Sequence, residues 1–211
     1  MDRGKDSVGV VQWARKNKVE VVRGNHDDRY LKYHEVLGWH GSHPGNTKPS
    51  WAKKYPDRMK IYTGLEKDDL EWLASTPMRI WFPDHNLVAV HAGFKPGVQM
   101  AEQENNSMMH IRFLWDDFSP AHLEKNNFFQ PPRGSIFWAE RYSLKWNVVY
   151  GHHVWSETEI KIHTHPDTGI KCYGIDTGCC FGGRLTALIF DTPTSEPIVV
   201  QQQALEKTRE H

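Results

Sequence analysis

Three positions in this 211-residue chain combine side chains that bind divalent cations with surroundings that would aim them at a common point. Asn25 follows Gly24 behind the β-branched run 19–22. His91 closes the apolar run 86–90 and precedes Ala92-Gly93, and His152 follows Gly151 after the run 146–150. A glycine lets the backbone turn sharply off a strand. In an α/β sheet, short polar side chains placed just past the strand ends gather above one edge. One amide oxygen and two imidazoles form a set suited to Zn²⁺ or Mn²⁺. Taken singly, a strand-end histidine reads as a hydrogen-bonded core or rim residue. Three such ends in one chain predict a shared ion.

The elements that would hold these residues follow from periodicity. Residues 6–16 place Val8, Val11 and Ala14 near one helical face with Lys, Gln and Arg elsewhere, as in a helix packed on a sheet. Strands are expected at 19–22, 86–90, 146–150, 170–175 and 184–190, with a further one at 197–200. The run 170–175 stops at Asp176-Thr177-Gly178. Residues 68–75, acidic at the start and ahead of Pro77, predict a short packing helix. Residues 160–165 alternate like a strand, which puts His163 and His165 on one face with no need to be ligands. The stretch 38–64, with His40, His43, Trp51 and Tyr55 amid Gly and Pro, reads as loop rather than as a zinc site. The fold class expected is α/β in a single domain over 1–211, with 192–211 forming a C-terminal strand and a frayed tail.

Composition excludes several classes of function. Lys+Arg and Asp+Glu balance at 26 each, so no global field draws the chain to nucleic acid, membrane or acidic partners. Three cysteines, two of them the adjacent Cys179-Cys180, make no CxxC element and no even disulfide framework. That usage points to a reducing, cytoplasmic setting, with the pair as buried small residues. No apolar run approaches the ~20 residues needed to span a bilayer.

In order, Asp2-Arg3-Gly4, Gly24-Asn25-His26-Asp27, His91-Ala92-Gly93 and Gly151-His152 resemble the motifs of the calcineurin-like metallophosphoesterases. Gly174-Ile175-Asp176-Thr177-Gly178-Cys179, followed by 182–188, is similar to the phosphoprotein-phosphatase branch, with diadenosine-tetraphosphatase-like members and fungal endopolyphosphatases nearest in look. The resemblance implies a calcineurin-like α/β-sandwich and hydrolysis of phosphate monoesters or anhydrides by a metal-activated water. It implies that Asn25, His91 and His152 bind one metal (Mn²⁺, Zn²⁺ or Fe) of a two-metal centre. His26 becomes the general acid, Asp2 its orienting carboxylate, Arg3 a phosphate ligand and Arg112 a second phosphate clamp, with Arg133 and Arg141 as rivals. Asp27 stays an outer residue. The substrate could be a phosphoprotein, a dinucleoside polyphosphate, polyphosphate or capped RNA.

The sequence departs from that family in one respect. The dipeptide Gly-Asp occurs nowhere in it, so the GDxHG motif and the leading Gly-Asp of GDxxDRG are missing. The expected chain is therefore N-terminally incomplete, lacking the first strand and its loop. Three neutral ligands do little to offset two adjacent divalent charges. At most one loosely held ion is expected, with weak activity. The alternative is a catalytically inactive phosphate-binding or regulatory paralogue.

Overall fold

The computed structural model describes residues 3–37, 54–123 and 131–208, and these fall into two compact units, Met1–Pro77 and Met78–His211. Asp2, His40, His43 and Trp51 lie outside the described residues.

The first unit is helical. α1 (Ser7–Lys16) is capped by Asp6, whose carboxylate accepts from the Gly9 N–H at 2.8 Å. It buries Ser7, Val11 and Ala14, close to the expected face. α2 (Asn25–Leu37), α3 (Pro56–Gly64) and α4 (Lys67–Ser75) follow. Val11, Tyr30, Leu37, Tyr62, Leu65, Leu70 and Leu73 make the core. Asp69, at the start of α4, is fully buried and paired. The Arg15 Nε lies 2.9 Å from its Oδ1, and the Glu66 N–H donates to its Oδ2 at 2.9 Å.

Residues 19–22 differ from expectation. They run without strand pairing, and Val19 is exposed. Among the described residues no strand lies beside them to supply a ladder, and the Arg23 N–H goes instead to the Pro77 carbonyl at 2.8 Å.

The second unit is built on a five-stranded sheet. β1 (Arg79–Phe82), β2 (Leu87–Val90), β6 (Asn147–Tyr150), β7 (Lys161–Thr164) and β8 (Lys171–Gly174) stand in the order β1-β2-β6-β8-β7. The central pairs β2–β6 and β6–β8 are parallel, and the outer pairs are antiparallel. Short β3 (Phe113–Leu114), β4 (Pro120–Ala121) and β5 (Ile136–Phe137) form a second sheet next in sequence to the helix α5 (Asn105–His110). β9 (Arg184–Ile189) pairs with β10 (Ile198–Gln203) as a third. Val88, Val90, Val148 and Tyr150 form the centre of the core with Phe94, Phe137, Trp138 and Tyr142. The α/β class read from the sequence holds. Of the cysteines, Cys172 is the buried one, whereas Cys179 and Cys180 are only half-buried in a single 3-10 turn, Cys179–Phe181.

Candidate metal centre

Parallel pairing of β2 with β6 sets Val90 opposite Tyr150, so the residues that follow each strand emerge side by side. The Gly151 N–H donates to the His91 carbonyl at 3.0 Å, and the Ile175 N–H beyond β8 donates to the Tyr150 carbonyl at 2.9 Å. Three strand ends are thereby stitched along one edge, the place where open α/β sheets bind ligands. His91 Nε2 then lies 3.0 Å from His152 Nδ1, with the rings tilted by 59°.

That pair fits a cation. Two metal–nitrogen bonds of about 2.1 Å span such a gap at an angle of about 90°. Without a metal, one nitrogen donates to the other. To hold one, both would have to present acceptor lone pairs, with the protons on the opposite ring nitrogens. Among the described residues no group of three or more His, Cys, Asp and Glu forms a metal cluster.

The backbone beneath the pair is constrained. His152 has φ +69°, a left-handed conformation that costs a non-glycine residue about 1–3 kcal/mol. The turn is closed by the His153 N–H donating to the Gly151 carbonyl at 2.8 Å, and the Arg112 Nη2 donates to the His152 carbonyl at 3.0 Å. Under the other histidine, Trp138 is fully buried against Gly93. A Cβ added there would stand 2.2 Å from the indole Cε2. The glycine of His91-Ala92-Gly93 is thus required by close approach of a ring. The Ala92 N–H donates to the Met108 carbonyl at 2.8 Å, tying the same turn to α5.

Behind His152 the core turns aromatic. His153, 3 % exposed, packs on Phe113, Phe137 and Trp155, and burial holds its pKa down at about 4. His163 stacks on Phe137 at 19° and is likewise depressed to about 4, by burial first and the Lys161 charge second. Its neighbour across the strand pair is Cys172, whose thiol burial pushes upward. Burial also raises the Cys179 thiol, which argues against a reactive pair at 179–180.

Asn25 and His26 belong to the first unit and open α2 rather than ending a strand. The Gly24 N–H donates to Asp27 Oδ2 at 2.9 Å while the Asp28 N–H donates to the Gly24 carbonyl at 3.0 Å. The carboxylate caps the helix start and the backbone bond closes its first turn, with Asn25 and His26 as that turn's first two residues. Arg23 anchors the approach through the Thr76 carbonyl at 3.0 Å and through the Ala74 carbonyl. Arg3, Arg133 and Arg141 are exposed.

Sequence reasoning missed Trp138 and the Arg112 link, and it named Asp176 as a strand end without giving it a role. Asp176 lies just beyond β8, its Cβ within 3.8 Å of where a Gly151 Cβ would be, and its Oδ1 accepts from the Gly178 N–H at 3.2 Å.

A model of the calcineurin-like phosphoesterases matches residues 1–186. The chain belongs to that family. This phosphoesterase is 26 % identical to the asymmetrical bis(5'-nucleosyl)-tetraphosphatase PrpE of Anoxybacillus flavithermus, over 95 % of this chain and 79 % of that protein. It is 30 % identical to the PrpE of Bacillus velezensis, over 95 % and 74 % respectively. It is 24 % identical to the symmetrical bis(5'-nucleosyl)-tetraphosphatase of Methylobacillus flagellatus, over 89 % and 78 %. A crystal structure of a candidate diadenosine tetraphosphatase superposes with TM-score 0.66 at 22 % identity, covering 96 % of the phosphoesterase and 76 % of its own chain. That likeness speaks for the fold. Members of the family use divalent metals, and no helix among the described residues is long and apolar enough to cross a membrane.

Proposed function

We propose that this chain is a metal-dependent phosphoesterase acting on phosphoanhydrides of the dinucleoside-polyphosphate class. The observation that carries this reading is the His91–His152 pair, two imidazole nitrogens 3.0 Å apart at the ends of adjacent parallel strands. The relatives named for bis(5'-nucleosyl)-tetraphosphate cleavage favour a dinucleoside polyphosphate over a phosphoprotein, polyphosphate or capped RNA.

In this reading His91 and His152 hold a divalent ion, Mn²⁺, Zn²⁺ or Fe, with Asn25 as third ligand. When bound, the ion supplies an activated water and neutralises phosphate oxygens. His26 donates a proton to the leaving phosphate oxygen, and Asp2 keeps its imidazole aimed and charged. Arg3 holds a non-reacting phosphate oxygen.

A second reading, a protein that binds phosphate without turnover, is favoured by the absence of any Gly-Asp dipeptide. Histidines and an amide add no negative charge to offset a second cation.

The test is hydrolysis of diadenosine tetraphosphate by the full chain with and without Mn²⁺. The enzyme reading expects Mn²⁺-dependent release of mononucleotides that falls at least about 100-fold in His152→Ala. His26→Ala is expected to slow substrates with poor leaving groups more than those with good ones. Binding of inorganic phosphate with no turnover at any Mn²⁺ concentration would establish the second reading instead.

A further inference from the structure

We propose that Arg112 is a positioning residue for the metal centre. Its guanidinium holds the His152 backbone in the left-handed turn that presents Nδ1 to His91, and it does not act as a phosphate clamp. The inference rests on the metal-binding reading of His91 and His152 given above.

Several observations converge on this role. In a left-handed residue the carbonyl points away from the direction it would take in a continuing strand, and that oxygen needs a donor when it is half-buried. Arg112 Nη2 supplies one at 3.0 Å from a position 40 residues earlier in the chain. A charged donor makes this contact stronger than a neutral hydrogen bond of the same length. Arg112 is itself fixed at both ends. Its own carbonyl accepts from the Trp138 N–H at 2.9 Å, and it immediately precedes β3, which pairs with β5. Trp138 is in turn the residue whose indole fills the space over Gly93. Two short paired segments, 112–114 and 136–138, therefore reach both strand-end turns. They support the His91 turn through a ring and the His152 turn through a guanidinium. A change at Arg112 should act on the 3.0 Å separation of the two imidazole nitrogens, and through it on the ion.

The test uses the full chain and three measurements on Arg112→Met, Arg112→Lys and wild type. These are Mn²⁺ affinity, inhibition by inorganic phosphate at saturating Mn²⁺, and long-range ¹H–¹⁵N spectra of the imidazoles in metal-free protein. Positioning predicts a loss of Mn²⁺ affinity of about 10-fold or more in Arg112→Met, as for other partners of metal ligands. It also predicts altered His91 and His152 ring signals without metal, and phosphate inhibition changed less than about 2-fold. Arg112→Lys should recover most of the Mn²⁺ affinity, because one amine donor suffices for one carbonyl. A bidentate phosphate clamp would not tolerate lysine. Unchanged Mn²⁺ affinity and ring signals would overturn the proposal, whether or not phosphate binding weakens. Should Arg112→Met fail to fold, Arg112→Gln retains an N–H donor without charge. Positioning then predicts a partial loss of Mn²⁺ affinity and a clamp predicts none. If wild type binds no Mn²⁺ through His91 and His152, the metal reading fails, while the metal-free ring signals still decide the role of Arg112.

Discussion

The two units place their candidate residues by different physics. In Met1–Pro77, Asn25 and His26 are set by contacts three and four residues apart, the Asp27 and Gly24 cap that starts α2. In Met78–His211, His91 and His152 stand 61 residues apart in sequence and meet only through strand register. The first arrangement survives as long as one helical turn does. The second depends on a whole core. Each unit should therefore fail in its own way, and substitutions away from the ligands can sharpen or break the contrast.

The largest effect is expected in the sheet unit. Trp138→Ala removes a fully buried indole that fills the space above Gly93 and should destabilise by about 3–5 kcal/mol in urea unfolding. The His91 turn should loosen along with the core. A loss below about 1 kcal/mol would show that the strand-end turns do not need this ring.

In the helical unit the comparable site is electrostatic. Asp69→Ala leaves Arg15 without its buried partner and removes the acceptor of the Glu66 N–H, at a cost of about 2–3 kcal/mol, since Arg15 keeps part of its side chain in water. Asp27→Ala removes one helix-cap acceptor and should cost about 1 kcal/mol, with a loss of order at the start of α2 visible in amide exchange. If Asp27→Ala cost as much as Trp138→Ala, the division between local and register-built positioning would fall.

Acid should distinguish the units as well. His163 is held neutral in the folded state at a pKa of about 4, against 6.5 unfolded, by burial and the Lys161 charge. The unfolded chain binds this proton more readily, so the contribution is full above pH 6.5 and is lost as pH falls toward 4. Replacing His163 with Phe should flatten the pH dependence of stability in that window. An unchanged slope would mean that His163 is protonated without cost in the folded protein.

Much of the sheet unit was legible in the sequence. β2 and β6 are short valine-bearing runs and β8 lies between Ile170 and Ile175, followed by His91-Ala92-Gly93, Gly151-His152-His153 and Asp176-Thr177-Gly178 respectively, and local composition suffices to place them. The alternation at 160–165 likewise appears as β7, with His163 turned onto Phe137. The stretch 19–22 misled because β-branched composition reports a preference for extended backbone, not the presence of a partner strand. α2 escaped because only Tyr30 and Leu37 are buried along it, too few to make an apolar stripe, and its start is signalled by a cap rather than by periodicity. The two-residue strands β3 to β5 are too short to carry a pattern. The Arg112 contact has no sequence signature, since it joins a guanidinium to a backbone carbonyl that any residue would offer.

The central claim is that His91 Nε2 and His152 Nδ1 together hold one divalent ion. It is tested most directly by an equilibrium Mn²⁺ titration of the full chain, read as bound ions per chain by electron paramagnetic resonance, alongside His91→Ala and His152→Ala. The account predicts no more than one ion per wild-type chain, and a loss of affinity of at least about 100-fold in each variant while the fold is retained. Two tightly held ions per chain, or one ion bound with unchanged affinity in both variants, would contradict it.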